Sequence, residues 1–111
     1  MVNKEIYLNN DLFGLAEDEI KQISEIFVLF PELFKVIIYG SRAKGNYKPY
    51  SDIDLTLVGN NLSQKDLLNL VLQLDDLLLP YEFDVSLKEQ ISNPELLEHI
   101  NRVGKVFYEK R

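Results

Sequence analysis

Apolar residues in the first third of the chain follow helical spacing and then form the continuous run typical of a strand. Between Glu17 and Phe30 they stand at Ile20, Ile23, Phe27 and Phe30, behind an acidic first turn. This spacing predicts a helix from Glu17 to Phe30 that Pro31 ends. The β-branched run "FKVIIYG" then predicts a buried strand that stops at Gly40. Residues Met1 to Phe13 show no clear period, and we expect them to form a leader that packs against the body.

The middle of the chain continues with two strand patterns separated by a long helix pattern. The run "DIDLTLV" predicts a second strand, followed by a turn at residues 59–61. Residues Ser63 to Leu79 predict a leucine-rich helix that Pro80 ends. The run "YEFDVSL" alternates apolar and polar positions and predicts a third strand.

The end of the chain predicts a last helix and a last short strand. Asn93 and Pro94 stand in the order typical of a helix start, and the helix is expected to run to Val103. Gly104 is expected to stop it in the left-handed conformation, before the strand "KVFY". We therefore predict one domain, residues 1–111, of the α/β (α+β) class, with a small mixed sheet and helices mainly on one face.

The helix predicted over residues 63–79 is apolar around more of its circumference than a surface helix needs. One stripe consists of Leu67, Leu70, Val71, Leu74, Leu77 and Leu78 and is wide enough to cover the sheet. A second stripe consists of Leu68, Leu72 and Leu79. The second stripe either lies under the terminal helix or the leader, or forms an interface with a second copy or a partner protein.

Composition narrows the classes of function. The 111 residues carry a net charge of -6 and no cysteine. Disulfides and thiol chemistry are thereby excluded, and a reducing cytoplasm is the expected location. No secretory signal or membrane span is apparent. Long nucleic acids require clustered basic residues, so we do not expect them as partners, whereas a nucleotide bound through a divalent metal is compatible with acidity.

The turn after the first strand has the composition of a phosphate-binding loop. Gly40 and Ser41 end the strand, where backbone N–H groups and the serine hydroxyl could hold phosphate oxygens. An ordinary turn is the alternative for this pair alone. Asn46 and Tyr47 stand where a P-loop requires lysine and then serine or threonine, so a Walker-type NTPase is not supported.

Acidic residues recur on one face of the next two strands. Side chains alternate along a strand, so Asp52 and Asp54 share a face, as do Glu82 and Asp84 on the third strand. If the strands are neighbours, Asp52, Asp54 and Asp84 converge, with Glu82 as a rival for the third position. Such a cluster is costly unless a cation such as Mg²⁺ holds it. The alternative is that Asp52 belongs to a turn and Asp54 is a solvated strand residue.

The pattern of glycine-serine, ten residues and Asp-x-Asp resembles the signature of the polymerase-β-like nucleotidyltransferase superfamily. The fuller stretch "YGSRAKGNYKPYSDIDL" is similar to minimal nucleotidyltransferase (MNT) domains. The resemblance implies that Asp52 and Asp54 ligate two Mg²⁺ ions and that Asp84 ligates the catalytic ion and helps deprotonate the attacking hydroxyl. Gly40 and Ser41 would hold the phosphates of ATP or another nucleoside triphosphate. Arg42 would contact the phosphates of the nucleotide or the partner, or be a solvated surface residue.

The resemblance also implies a partner. Minimal members work with a small helical protein, which in some pairs is a HEPN-type ribonuclease toxin that the antitoxin inactivates by attaching AMP to a tyrosine. We expect transfer of AMP to a hydroxyl of such a partner. The alternatives are a catalytic subunit that modifies a small hydroxylated molecule, and an antitoxin or scaffold that acts by binding alone. Self-association is left open. The single histidine, His99, is expected at the surface of the last helix.

Overall fold

The computed structural model describes residues 12–111, so almost all of the leader predicted over Met1 to Phe13 lies outside the described residues. The elements in chain order are α1 (Glu17–Phe27), β1 (Leu33–Tyr39), α2 (Gly40–Lys44), β2 (Ile53–Gly59), α3 (Gln64–Asp75), β3 (Phe83–Leu87), a 3-10 turn (Lys88–Gln90), α4 (Pro94–Val103) and β4 (Lys105–Glu109). Each predicted strand is present, and the α/β class is confirmed. The short helix α2 was not predicted.

The four strands form one mixed sheet in the order β3-β2-β1-β4. Strand β1 is central and runs antiparallel to both β2 and β4. Strands β2 and β3 are parallel, which requires a crossover between them, and α3 provides it. The start of β3 therefore lies beside the start of β2, where the acidic residues are.

One face of the sheet carries the main core. Alternate residues of β1 and β2 point to this face and are fully or almost fully buried: Val36, Ile38, Ile53, Leu55 and Leu57. Helices α1 and α3 contribute Ile23, Phe27, Leu70 and Leu74 to the same cluster. The opposite face is available for polar residues except where α4 packs against it through contacts with β1 and α2.

Helix α1 ends at Phe27, earlier than the predicted end at Phe30. The N–H groups of Leu29 and Phe30 bond to carbonyls three residues back, so the last turn tightens. Pro31 disfavours helical conformation in the residue before it. As a result Phe30 turns into the core, while Leu29 is left 61% exposed.

Helix α3 ends at Asp75, four residues short of the predicted Leu79. Two i→i+3 bonds close its end, and Leu78 then adopts a positive φ of 57°. Leu78 is 88% exposed, so its predicted place in the stripe that covers the sheet was wrong. Leu70 and Leu74 of that stripe are buried as expected.

The second apolar stripe of α3 divides between core and surface. Leu79 packs against the core, but Leu68 and Leu72 remain 60% and 54% exposed within residues 12–111. They do not lie under α4. The alternative that the leader covers them falls outside the described residues. None of the helices in the described part of the chain is long and apolar enough to cross a membrane.

Helix α4 begins at Pro94 and ends at Val103 as predicted, but the conformation expected for Gly104 was wrong. Asn93 Oδ1 accepts hydrogen bonds from the N–H groups of Glu95 and Leu96, at 2.9 and 3.3 Å. Gly104 is extended, with φ −62° and ψ 146°, rather than left-handed. Glycine is needed there for space, because a Cβ would lie 2.8 Å from Ile37 Cγ2.

Candidate active site

Asp54 and Asp84 lie directly opposite each other on neighbouring strands. The parallel register pairs Asp54 with Asp84, one step beyond the pair Ile53 and Phe83. Paired residues of adjacent strands point to the same face, so the two carboxylates meet on the face opposite the main core. Asp52 precedes β2 by one residue and is exposed. The structure thus pairs Asp54 with Asp84 and places Asp52 two residues before Asp54 at the same end of the strands.

The charges of Asp84 and Asp52 act on the neighbouring Asp54 carboxyl. The pKa of Asp54 rises from 3.8 to about 6, chiefly because the side chain is partly buried, and then because of the negative charges of Asp84 and Asp52. Glu82, the rival third acid, is not among the causes. The excess of negative charge is therefore centred on the aspartates, and Asp84 rather than Glu82 acts on Asp54.

Tyr39 borders the carboxylates from the third strand of the site. It pairs with Asp54 in the β1–β2 register and is 7% exposed. Burial, Asp84 and Asp54 raise the pKa of the Tyr39 hydroxyl, and its hydrogen bond with Ser86 opposes them. Tyr39 is therefore a neutral hydroxyl at the side of an acidic cleft.

Thr56 and Ser86 form the floor of this face one pair further along the strands. Thr56 is fully buried, and the Ser86 hydroxyl donates to its Oγ1 at 3.0 Å. The Thr56 hydroxyl is directed in turn to the Ser86 carbonyl at 3.4 Å. The polar floor is thus satisfied internally, and within residues 12–111 no side chain forms an ion pair with the carboxylates above it.

Gly40 lies against the Asp54 carboxylate. Its φ is +74°, in the region that favours glycine, and a Cβ at this position would collide with Asp54 Oδ2. The turn into α2 can therefore approach the acidic cluster only because residue 40 has no side chain. Ser41 follows as the next residue of α2 and is half-buried.

The predicted contact of Arg42 with nucleotide does not fit its placement. The side chain is 2% exposed, so Arg42 is not the solvated surface residue of the alternative prediction, and its donors are directed to backbone carbonyls. Its Nε donates to the Ser51 carbonyl at 3.0 Å, and its terminal nitrogens donate to Phe13 at 2.9 Å and Pro49 at 3.3 Å. An arginine can bond three carbonyls at once because its donors form a planar fork. Arg42 therefore holds the loop that leads to Asp52.

Two tyrosine rings enclose the Arg42 guanidinium. Its carbon lies 5.3 Å from the Tyr47 ring centroid and 4.7 Å from that of Tyr81. The Tyr81 hydroxyl donates to the Glu19 carboxylate at 2.9 Å, which links this cluster to α1. No sequence pattern indicated the cluster, because its members come from four separate segments.

His99 lies beside the candidate site, although the sequence led us to expect it at the surface of α4. It is half-buried, and its Nε2 accepts a hydrogen bond from the Gly40 N–H at 3.2 Å. Its ring meets the Tyr39 ring edge to face, with centroids 6.0 Å apart. The one available signal was its position next to Ile100, which is buried, at the flank of the apolar stripe of α4.

The donor set fits a divalent cation although it is not preassembled. Within residues 12–111, no three acidic, histidine or cysteine side chains already stand together as metal ligands. Asp52 and Asp84 are exposed, however, and can rotate toward Asp54, whose pKa they already raise. Mg²⁺ prefers such carboxylate oxygens and completes its shell with water and phosphate.

Sequence comparison places these features within a known family. The family model described as polymerase beta, nucleotidyltransferase matches residues 21–111. That range contains all six predicted site residues. No curated protein matches the chain.

Several solved structures with the same fold are toxin–antitoxin complexes. One, a toxin–antitoxin with AMP-PNP, has TM-score 0.66 and 21% identity, over 87% of this chain and 76% of the other. A second is a tri-AMPylated HEPN toxin of Shewanella oneidensis with its MNT antitoxin, with TM-score 0.65 and 17% identity over 86% and 74%. The MntA–HepT complex has TM-score 0.63 and 18% identity over 86% and 74%. At these identities the likeness establishes the fold.

Proposed function

The chain belongs to the polymerase β nucleotidyltransferase family, and on this premise we propose that it transfers AMP from ATP to a hydroxyl group and releases pyrophosphate. The observation that carries the proposal is the direct pairing of Asp54 with Asp84 beside Gly40. Three carboxylates placed this closely reduce stability unless a cation balances them. A fold that only had to be stable would gain from a neutral residue at position 54.

Each aspartate has a role in the proposal. Asp52 and Asp54 would hold two Mg²⁺ ions, and Asp84 would share the ion nearest the acceptor. Bound there, the ions supply activation of the attacking oxygen and neutralisation of the leaving phosphates. The acceptor oxygen forms a bond to the α-phosphorus, and the bond from the α-phosphorus to the bridging oxygen of pyrophosphate breaks. Asp84, exposed at the edge of the cleft, takes the hydroxyl proton.

The turn from β1 into α2 would bind the triphosphate. Gly40 admits the phosphates beside Asp54 because it lacks a Cβ, and Ser41 would donate its hydroxyl to a phosphate oxygen. Arg42, enclosed by carbonyls and aromatic rings, acts by holding the loop before Asp52. It is therefore proposed as a support of the site and not as a phosphate ligand.

The acceptor we propose is a side-chain hydroxyl of a small helical partner protein in the cytoplasm. A net charge of -6 disfavours a long nucleic acid as acceptor. The solved complexes of similar fold contain AMP-PNP in one case and a tri-AMPylated HEPN toxin in another. By analogy this chain would be the antitoxin of such a pair. The exposed Leu68 and Leu72 provide an apolar surface for a partner.

The test is transfer of label from ATP. The protein is incubated with α-labelled ATP, Mg²⁺ and the helical protein encoded beside it. Label on that protein, lost with Asp52→Asn and kept with the exposed control Asp75→Asn, is the expected result. Toxin neutralisation that survives in Asp52→Asn without any label would instead indicate an antitoxin that acts by binding. Label that appears only on an added aminoglycoside-type alcohol would indicate a small-molecule acceptor.

A further inference from the structure

The single histidine of the chain joins α4 to the turn that borders the acidic cluster. His99 Nε2 and the Gly40 N–H are 3.2 Å apart across 59 residues of sequence. The contact is partly buried, and it lies where α4 packs against α2 and β1. A hydrogen bond between a helix side chain and the backbone of a strand end constrains both elements.

The hydrogen bond defines the state of the imidazole. A backbone N–H can only donate, so His99 Nε2 must offer a lone pair, and in the neutral ring the proton sits on Nδ1. The same ring meets Tyr39 edge to face, with an interplanar angle of 80°. One side chain therefore holds both the last residue of β1 and the first residue of α2.

Gly40 needs such a restraint more than another residue would. Its φ of +74° is one of many conformations open to glycine, and the neighbouring Asp54 carboxylate leaves no space for a side chain that could restrict it. With its N–H held by His99, the peptide plane between Tyr39 and Gly40 has one orientation. The Gly40 N–H is thereby occupied, and Ser41 is the next residue of the turn that carries hydrogen-bond donors.

We propose that His99 is a positioning residue for nucleotidyl transfer, which acts by holding the Gly40 N–H and thereby aiming Ser41 at the triphosphate. The inference rests on the proposed function. In this proposal the Gly40 N–H bonds to His99 and not to phosphate. Gly40 makes room for the triphosphate because it has no side chain, and Ser41 donates the hydrogen bond to it. It also predicts how nucleotide binding changes when His99 is lost. If His99 competed with phosphate for the Gly40 N–H, its loss would strengthen binding, whereas a positioning role predicts weaker binding.

The hydrogen bond itself is tested without nucleotide. In protein labelled with ¹⁵N, we expect the His99 Nε2 resonance to be that of an unprotonated nitrogen at pH 8 and the Gly40 amide to be protected from hydrogen exchange. A proton on Nε2, or a Gly40 amide that exchanges like a free peptide, would overturn the inference whatever the enzyme does. This measurement does not depend on any variant that could fail to fold.

The function of the bond is tested with a pair of variants and a matched control. His99→Leu removes the acceptor, His99→Gln replaces it with an amide oxygen, and Asn101→Leu puts the same leucine on an exposed position of α4. Binding of α,β-methylene ATP with Mg²⁺ is measured by calorimetry, and KM for ATP and kcat by label transfer. We expect roughly five- to tenfold weaker binding and higher KM in His99→Leu, as for the loss of one oriented hydrogen bond. His99→Gln and Asn101→Leu should stay within about twofold of the wild type, and the kcat of His99→Leu should change less than its KM.

The outcomes separate the inference from the function on which it rests. Wild-type protein that binds no Mg²⁺–analogue refutes the proposed function and, with it, a positioning role. Wild-type binding with an unchanged or tighter His99→Leu overturns the inference alone, and so does a His99→Gln as impaired as His99→Leu. The inference is supported if His99→Gln restores nucleotide binding while His99→Leu and His99→Gln have the same thermal midpoint. If His99 had only a structural role, the loss of binding would instead follow the loss of stability.

Discussion

Arg42 Nε donates to the carbonyl oxygen of Ser51 at 3.0 Å, and Ser51 is the residue immediately before Asp52. The first residue after the Gly40-Ser41 pair thus supports the backbone that leads into the first aspartate. Arg42 joins the two ends of the loop before Asp52 through the protein interior, since it is only 2% exposed. The loop owes its shape to this buried charge.

Replacing Arg42 by methionine should destabilise the protein strongly. Methionine fills much of the space, but three carbonyls lose their donor and the two tyrosine rings lose the cation between them. We expect the free energy of unfolding to fall by about 2–4 kcal/mol, measured by urea denaturation. The control Lys44→Met, at an exposed position of the same helix, should change it by less than about 0.5 kcal/mol. A loss below about 1 kcal/mol for Arg42→Met would mean that the loop does not depend on the guanidinium.

Replacing Asp54 by asparagine should abolish transfer and stabilise the fold. The folded-state pKa of Asp54 is raised from 3.8 to about 6, so the folded protein binds more protons than the unfolded chain between these values. Stability is therefore lost as pH rises through this range, and the loss is complete above it. Because solvent screens this partly exposed group, we expect a gain of about 1 kcal/mol for Asp54→Asn at about pH 7.5. The gain in the free energy of unfolding should be smaller at about pH 4, near the lower end of this range, where Asp54 is largely protonated in the folded protein. Thermal unfolding without divalent ions measures it, and an equal gain at both pH values would show that the raised pKa of Asp54 is not its cause.

The Gly40→Ala variant should lose much more activity than backbone strain alone would explain. Alanine at this position combines a positive φ with a Cβ that overlaps the Asp54 carboxylate. Gly45 offers a matched control, because its φ is +92° but a Cβ there would meet nothing within 4 Å. Both variants carry backbone strain of about 1–2 kcal/mol. We expect Gly40→Ala to reduce kcat/KM by roughly 100-fold or more, since the carboxylate must move, and Gly45→Ala to keep most of the activity. Similar losses in both would assign the effect to strain alone.

Magnesium with a triphosphate should stabilise the protein through the aspartates. A ligand at about ten times its Kd adds about 1.4 kcal/mol to the free energy of unfolding. We expect such a stabilisation from α,β-methylene ATP with Mg²⁺ and none with EDTA present. Asp52→Asn and Asp84→Asn should abolish most of the shift in thermal midpoint, whereas Asp76→Asn, exposed at the end of α3, should leave it intact. An undiminished shift in Asp52→Asn would remove that residue from the metal site.

Charged residues on the outer side of α3 should prevent partner association while leaving the fold intact. Leu68 and Leu72 are more than half exposed, so glutamate at both positions costs little in the chain alone. At an apolar interface the same change buries two unpaired charges, and we expect affinity for the helical partner to fall at least roughly 100-fold by calorimetry. Leu70→Glu, at a position 1% exposed, is the contrasting variant and should unfold the protein. Unfolding of the Leu68→Glu, Leu72→Glu variant would show that these residues support the fold and do not form a surface.

Much of this fold could be predicted because its signals are local. The apolar run before Gly40, the alternation through Asp54 and the cap at Asn93 each depend on residues within one element. The errors occurred where distant contacts determine the outcome. Gly104 was expected to turn left-handed, but it is extended and lies against Ile37, a residue of another strand. Helix α3 ends at Asp75, and beyond it Leu77 and Leu79 pack against the core while Leu78 is exposed.

The sequence by itself determined which acidic residues are the candidates for the site, since alternation along a strand puts Asp52 and Asp54 on one side whatever surrounds them. Only the tertiary structure decided that Asp84 faces Asp54, because this depends on the parallel register of two strands joined by a helix. It also decided that Arg42 is buried and that His99 reaches Gly40. Hydrogen bonds between residues far apart in the chain leave no period or spacing in the sequence, so no local pattern could have indicated them.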